Sequence, residues 1–115
     1  MGIFDWLFGP KVPQITVQEA QQRLQNDKGV VIVDVRQPVE TQSGVVPGAV
    51  LIPLTELGRR MDELPSDRPI LTICASSHRS PMAARRLAKA GYDVTDVAGG
   101  MGAWMRAGLP VEKRE

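Results

Sequence analysis

The order of apolar and polar positions along the chain reads as strands alternating with helices. Residues 30–35 give the strongest strand signal, an apolar run ending in Asp34 and Arg36, and a second short run covers 70–73. Runs of this kind suit strands buried on both faces of a sheet. Gln14 and Ile15, residues 50–52 and residues 93–97 read as three further strands. Between them lie helical signals. Thr16-Val17-Gln18-Glu19 is a capping box opening a helix that runs through Ala20 and Leu24 and stops near 26–29. Pro38 can start a short helix over 38–42, and 55–61 gives another. Ser80 reads as an N-cap with Pro81 at the first helical position. Met82, Ala83, Arg86, Leu87 and Ala90 follow at helical spacing, and Gly91 is the stop. Gly99-Gly100 allows a sharp turn, and Ala103, Trp104 and Ala107 form the apolar side of a closing helix that Gly108 ends, with Trp104 in the core. This alternation predicts an α/β fold: about five strands, mainly parallel, with helices on both faces.

At 115 residues the chain is one domain, large enough for a core of its own. Hydrophobic residues make up 43% and the net charge is +1, which argues against a disordered chain. The same balance argues against nucleic acid or an anionic membrane as partner. Three parts are expected: an N-terminal apolar segment and linker over 1–13, a folded domain over 14–111, and a solvated charged tail over 112–115. Ile3, Phe4, Trp6, Leu7 and Phe8 either fold back onto the domain or form a partner-docking or membrane-surface segment. No stretch approaches the ~20 apolar residues of a transmembrane helix, and the start lacks the features of a signal peptide. One cysteine leaves no intrachain disulfide, and one histidine beside it leaves no Cys/His zinc site. No metal or cofactor is expected, and a reduced thiol suits a cytoplasmic location.

That cysteine, Cys74, stands between the strand at 70–73 and the helix beginning near Ser80. A thiol is a nucleophile only as thiolate, and helix N-termini favour the thiolate through free N–H donors and partial positive charge. Arg79 follows five residues on and His78 adds a second possible charge. A loop from Cys74 to Arg79 can curl so that its N–H groups point inward as an anion cradle. An inert core cysteine is the competing reading. The polar, cationic run Ser76-Ser77-His78-Arg79-Ser80 speaks against it, because core strands do not normally end so. Arg36 and Asp34, at the carboxyl end of a parallel strand, lie along the edge where open α/β sheets bind ligands. They either face the pocket or form a pair that braces the loops.

The run Cys74-Ala75-Ser76-Ser77-His78-Arg79-Ser80 resembles the active-site loop of single-domain rhodaneses, which are sulfurtransferases. Val31-Ile32-Val33-Asp34-Val35-Arg36-Gln37-Pro38-Val39-Glu40, with Pro47-Gly48-Ala49-Val50-Leu51-Ile52-Pro53-Leu54, is similar to the family's first signature. Gly99-Gly100-Met101-Gly102-Ala103-Trp104, with Gly108-Leu109-Pro110-Val111, is similar to its C-terminal one. The resemblance covers residues 14–111 and implies a single rhodanese-like domain. It implies Cys74 as the catalytic nucleophile, with Ala75, Ser76, Ser77, His78, Arg79, Ser80 and Arg36 around the substrate. The implied reaction moves a sulfane sulfur from thiosulfate or a persulfide donor, through a Cys74 persulfide, to a thiol, cyanide or a protein cysteine. The partners expected are thus a small anionic donor and a thiophilic acceptor, with a protein sulfur donor or acceptor as an alternative to either, for a chain that is itself a monomer. A sulfur-relay or protein-interaction module without turnover is the alternative. A small cysteine phosphatase or arsenate reductase is disfavoured, because four residues rather than five separate Cys74 from Arg79. Two positions depart from the family pattern: Val45 where a histidine is usual, and Ser77 where glycine is common. If the latter needs a positive φ, serine carries a strain that glycine does not.

Overall fold

The computed structural model describes residues 11–114. Both readings of the apolar segment at 1–9 fall outside that span. Five strands form one sheet: β1 (Gln14–Ile15), β2 (Val31–Asp34), β3 (Val50–Leu51), β4 (Ile70–Ile73) and β5 (Val94–Val97). Their spatial order is β1-β5-β4-β2-β3, and every neighbouring pair is parallel. The helices are α1 (Val17–Asn26), α2 (Leu57–Arg60), α3 (Ser80–Lys89) and α4 (Gly100–Arg106). Short 3₁₀ turns cover Pro38–Ser43, Leu54–Glu56 and Met61–Glu63.

Strand side chains alternate between the two faces of a sheet. Val33 and Ile70 therefore pack on one side with Leu57, Ala84 and Leu87, under α2 and α3. Ile32, Leu71 and Ile73 pack on the other with Ala20, Met101 and Trp104, under α1 and α4. Helices thus cover both faces, as the apolar runs predict. The capping box also forms: the Glu19 N–H donates to Thr16 Oγ1, and the Thr16 N–H donates to Glu19 Oε1, each at 3.1 Å. No described helix is long and apolar enough to cross a membrane.

Three local expectations are corrected. Ser80 is the first residue of α3, not its N-cap; that position falls to Arg79, which makes no side-chain cap bond. Arg79 already has helical dihedrals (φ −93°, ψ −36°), so the helix begins one residue early and the Ser80 side chain turns inward. The buried stripe of α3 is accordingly Ser80, Ala83, Ala84 and Leu87. Met82 and Ala90 therefore face solvent rather than the core. Glu112, expected as the start of a free tail, instead pairs with Val45 in an antiparallel bridge (N···O 2.8 and 2.9 Å), and its carboxylate accepts from the Gly48 N–H. Val45, where the family usually has histidine, is fully buried at this bridge.

Candidate active site

β4 ends at Ile73, in the middle of the sheet, and delivers Cys74 directly to the carboxyl edge. Residues 75–79 then bend back over the sulfur and enter α3. Cys74 is buried and free of any disulfide. The Ser77 N–H donates to its Sγ at 3.1 Å, and the Ser80 hydroxyl lies 3.3 Å from it. Burial pushes the Cys74 thiol up. The Ser80 hydroxyl and the backbone N–H groups of Ser80, Arg79 and Ser76 outweigh that, so the net direction is down. Donors of this kind favour the thiolate.

The loop is tied to the C-terminal segment as well. The Met101 N–H donates to the Cys74 carbonyl at 2.7 Å, and the Gly102 N–H to the Ala75 carbonyl at 3.0 Å. These are among the first N–H groups of α4, which have no partner within their own helix. So close an approach requires glycine at position 100: a Cβ there would overlap the Cys74 carbonyl oxygen, at a φ of +59°. Ser77 sits at φ +74°, the one described non-glycine residue with positive φ. Its hydroxyl accepts from the Gly99 N–H.

Arg79 reaches sideways to Glu40, with two hydrogen bonds of 2.6 Å between its terminal nitrogens and the two carboxylate oxygens. Chiefly through this contact, against a smaller opposing effect of burial, the Glu40 carboxyl is held down at about 2. The same carboxylate accepts from the Gln37 N–H at 2.8 Å. Glu40 is a site residue that the sequence pattern does not reveal. Its signal was local, a Gln37-to-Glu40 capping box around Pro38, and nothing in that pattern points to an arginine 39 residues on. Ser76 and His78 stand at the exposed mouth, with Ser76 Oγ 2.9 Å from His78 Nδ1.

Arg36 is not brought to this mouth. It is 4% exposed, and its guanidinium holds both oxygens of the buried Asp34 and donates to the Glu40 and Gly44 carbonyls at 3.0 and 2.9 Å. The expectation that it contacts substrate gives way to the bracing role. A guanidinium committed to a buried carboxylate and two turn carbonyls fixes the segment that presents Glu40 to Arg79. No cluster of three or more potential metal-ligating side chains occurs among the described residues. What the loop offers chemically is a thiol held down and donors that converge on its sulfur.

The model of the rhodanese-like domain family matches residues 16–107. A protein named sulfurtransferase from Allochromatium vinosum is 38% identical over 101 residues, covering 87% of this chain and 94% of that protein. A putative sulfur carrier protein of Bacillus subtilis, YrkF, is 38% identical over 94 residues; the match covers 81% of this chain but 51% of YrkF. The crystal structure of a rhodanese-related protein from Thermoplasma volcanium superposes with a TM-score of 0.81 at 30% identity, over 87% of this chain and 97% of that one.

Proposed function

The chain belongs to the rhodanese-like domain family and has a sulfurtransferase-type function in the general sense, and on that premise we propose that Cys74 carries sulfur from thiosulfate or a persulfide donor to a thiol or cyanide. The observation that supports this reading most directly is the pair of contacts at Cys74 Sγ, the Ser77 N–H donating to it and the Ser80 hydroxyl, which can donate once the sulfur is a thiolate. They lie within a loop that leaves four residues between Cys74 and Arg79. In the first displacement the Cys74 thiolate attacks the outer sulfur of thiosulfate. The old S–S bond breaks, sulfite leaves with its electron pair, and a Cys74 persulfide anion remains. In the second, cyanide or a thiolate takes the terminal sulfur, and the Cys74 thiolate is restored. The loop N–H groups stabilise the thiolate before the first step and the persulfide anion between the two. His78 and the Arg79–Glu40 pair flank the route in.

Incubating the reduced protein with thiosulfate, desalting it and recording its intact mass tests this. The expected result is a gain of about 32 Da, one sulfur, that cyanide or dithiothreitol removes and that Cys74→Ser lacks. A gain of the same size in Cys74→Ser overturns the assignment. A second reading, a relay domain loaded by a protein donor, is favoured by one surface feature. Met82, Arg85, Arg86 and Lys89 form the exposed stripe of α3 leading away from the loop. On that reading thiosulfate leaves the mass unchanged, whereas a persulfidated protein donor adds the sulfur.

A further inference from the structure

Ser77 is bonded through both its backbone and its side chain. Its N–H donates to Cys74 Sγ, while its hydroxyl accepts from Gly99, in the turn between β5 and α4. The residue holds a left-handed φ of +74° that a side chain disfavours and that glycine adopts freely. A hydrogen bond to sulfur weakens steeply once the N–H swings off line. The peptide plane carrying this donor sits in a half-buried bend, between the exposed Ser76 and His78 at the mouth. The Gly99 turn is anchored in its own right, because the next residues, Met101 and Gly102, donate to the Cys74 and Ala75 carbonyls.

We propose that the Ser77 hydroxyl is a positioning group: tethered to the Gly99 N–H, it holds the Ser77 peptide so that its own N–H stays on the Cys74 sulfur. A glycine here has the same backbone freedom to adopt the bend and equal freedom to leave it. Serine exchanges ease of conformation for a fixed one. The tether is thus a device of this chain for keeping the thiolate solvated by protein in the resting loop. The inference rests on Cys74 being the sulfur-carrying nucleophile, but its test does not.

The test titrates the Cys74 thiolate by its ultraviolet absorbance and by the pH dependence of alkylation, in the wild type, Ser77→Gly and Ser77→Ala. Neither substitution alters the titratable or charged groups beside the loop, His78 and the Arg79–Glu40 pair, nor the Arg36–Asp34 pair behind them. In both variants the thiolate titration should move up by about one pH unit, about tenfold less thiolate at a fixed pH below the midpoint. Thermal midpoints should part company: Ser77→Gly melts at or above the wild type because the φ strain is gone, and Ser77→Ala melts below it. If Ser77→Gly titrates as the wild type does, the tether positions nothing and the proposal fails. Should Ser77→Ala not fold, Ser77→Gly alone decides. Thiosulfate loading is measured separately, so a wild type that takes no sulfur yet shows the shift refutes the donor and leaves the tether standing.

Discussion

Arg79 and Glu40 meet end to end, each terminal nitrogen of the one on an oxygen of the other at 2.6 Å. The arginine expected to be a free cation at the mouth of the loop is therefore already balanced by a carboxylate. An incoming donor anion meets an ion pair, whose attraction is shorter in range than that of a lone charge.

The pair gives a stability signature with a definite sign. Glu40 is depressed from its ordinary 4.5 to about 2 by the Arg79 hydrogen bonds, against the opposing effect of burial. A group depressed by folding contributes stability above its unfolded value and loses it as pH falls through the folded value. Urea unfolding of the wild type and Glu40→Gln should differ by a constant amount, on the order of 1 kcal/mol for a partly exposed pair, from neutral pH down to about 4.5. The difference should then shrink toward pH 2. A difference that stays flat across that whole range would show that the ion pair is not its source.

Ser80 presents its hydroxyl to the sulfur from the first turn of α3, where it is fully buried. Hydrogen bonds to charged groups contribute about 1.5–3 kcal/mol. Ser80→Ala should raise the Cys74 titration by about one unit or more and slow sulfur loading near pH 6 by about tenfold. Had the side chain only capped the helix, the substitution would lower the melting temperature and leave the titration unchanged.

Glycines 91 and 100 make a controlled comparison. Both have positive φ, +99° and +59°, but a Cβ at Gly91 meets nothing within 4 Å, whereas at Gly100 it collides with the loop backbone. Gly91→Ala should cost only the backbone preference, about 1 kcal/mol, and leave sulfur loading intact. Gly100→Ala should cost more, about 2–4 kcal/mol, and slow loading as well, because relieving the clash displaces Cys74. Equal effects on loading would mean that the turn does not support the site.

Asp34→Asn removes the charge that Arg36 is buried against, leaving a guanidinium 4% exposed without its carboxylate. The expected loss is about 3–5 kcal/mol in denaturant unfolding. A bracing role further requires that, in the folded fraction, the Cys74 titration stays near its wild-type value. A large movement there would return Arg36 to the sulfur's surroundings.

The parts of this molecule that were legible in its sequence are those set by neighbours in the chain. The apolar runs at β2 and β4, the capping box at Thr16, and the cysteine between strand and helix each state their structure within a few residues. Ser77 was legible too, in that serine at a glycine-like position raised the question of a positive φ. What could not be read were the partners. Ser80 looked like a cap because N-cap preference is a local rule, and no local rule records that a sulfur lies behind it. Glu40 and Gly99 are brought to the loop by the order of strands in the sheet, whereas the Asp34–Arg36 pair, two residues apart, was legible as one of two alternatives.

The contacts from α4 also bear on the order in which the loop is held during synthesis. The amides of Met101 and Gly102 that hold the Cys74 and Ala75 carbonyls are made after the cysteine they position, some way further along the chain. A ribosome-bound chain that has released Cys74 but not yet this last helix carries the loop without its buttress. Its cysteine then stands in a loop whose Cys74 and Ala75 carbonyls lack the donors that hold them. A chain broken off before Gly99 should therefore carry the cysteine loop without the two amides that fix its backbone.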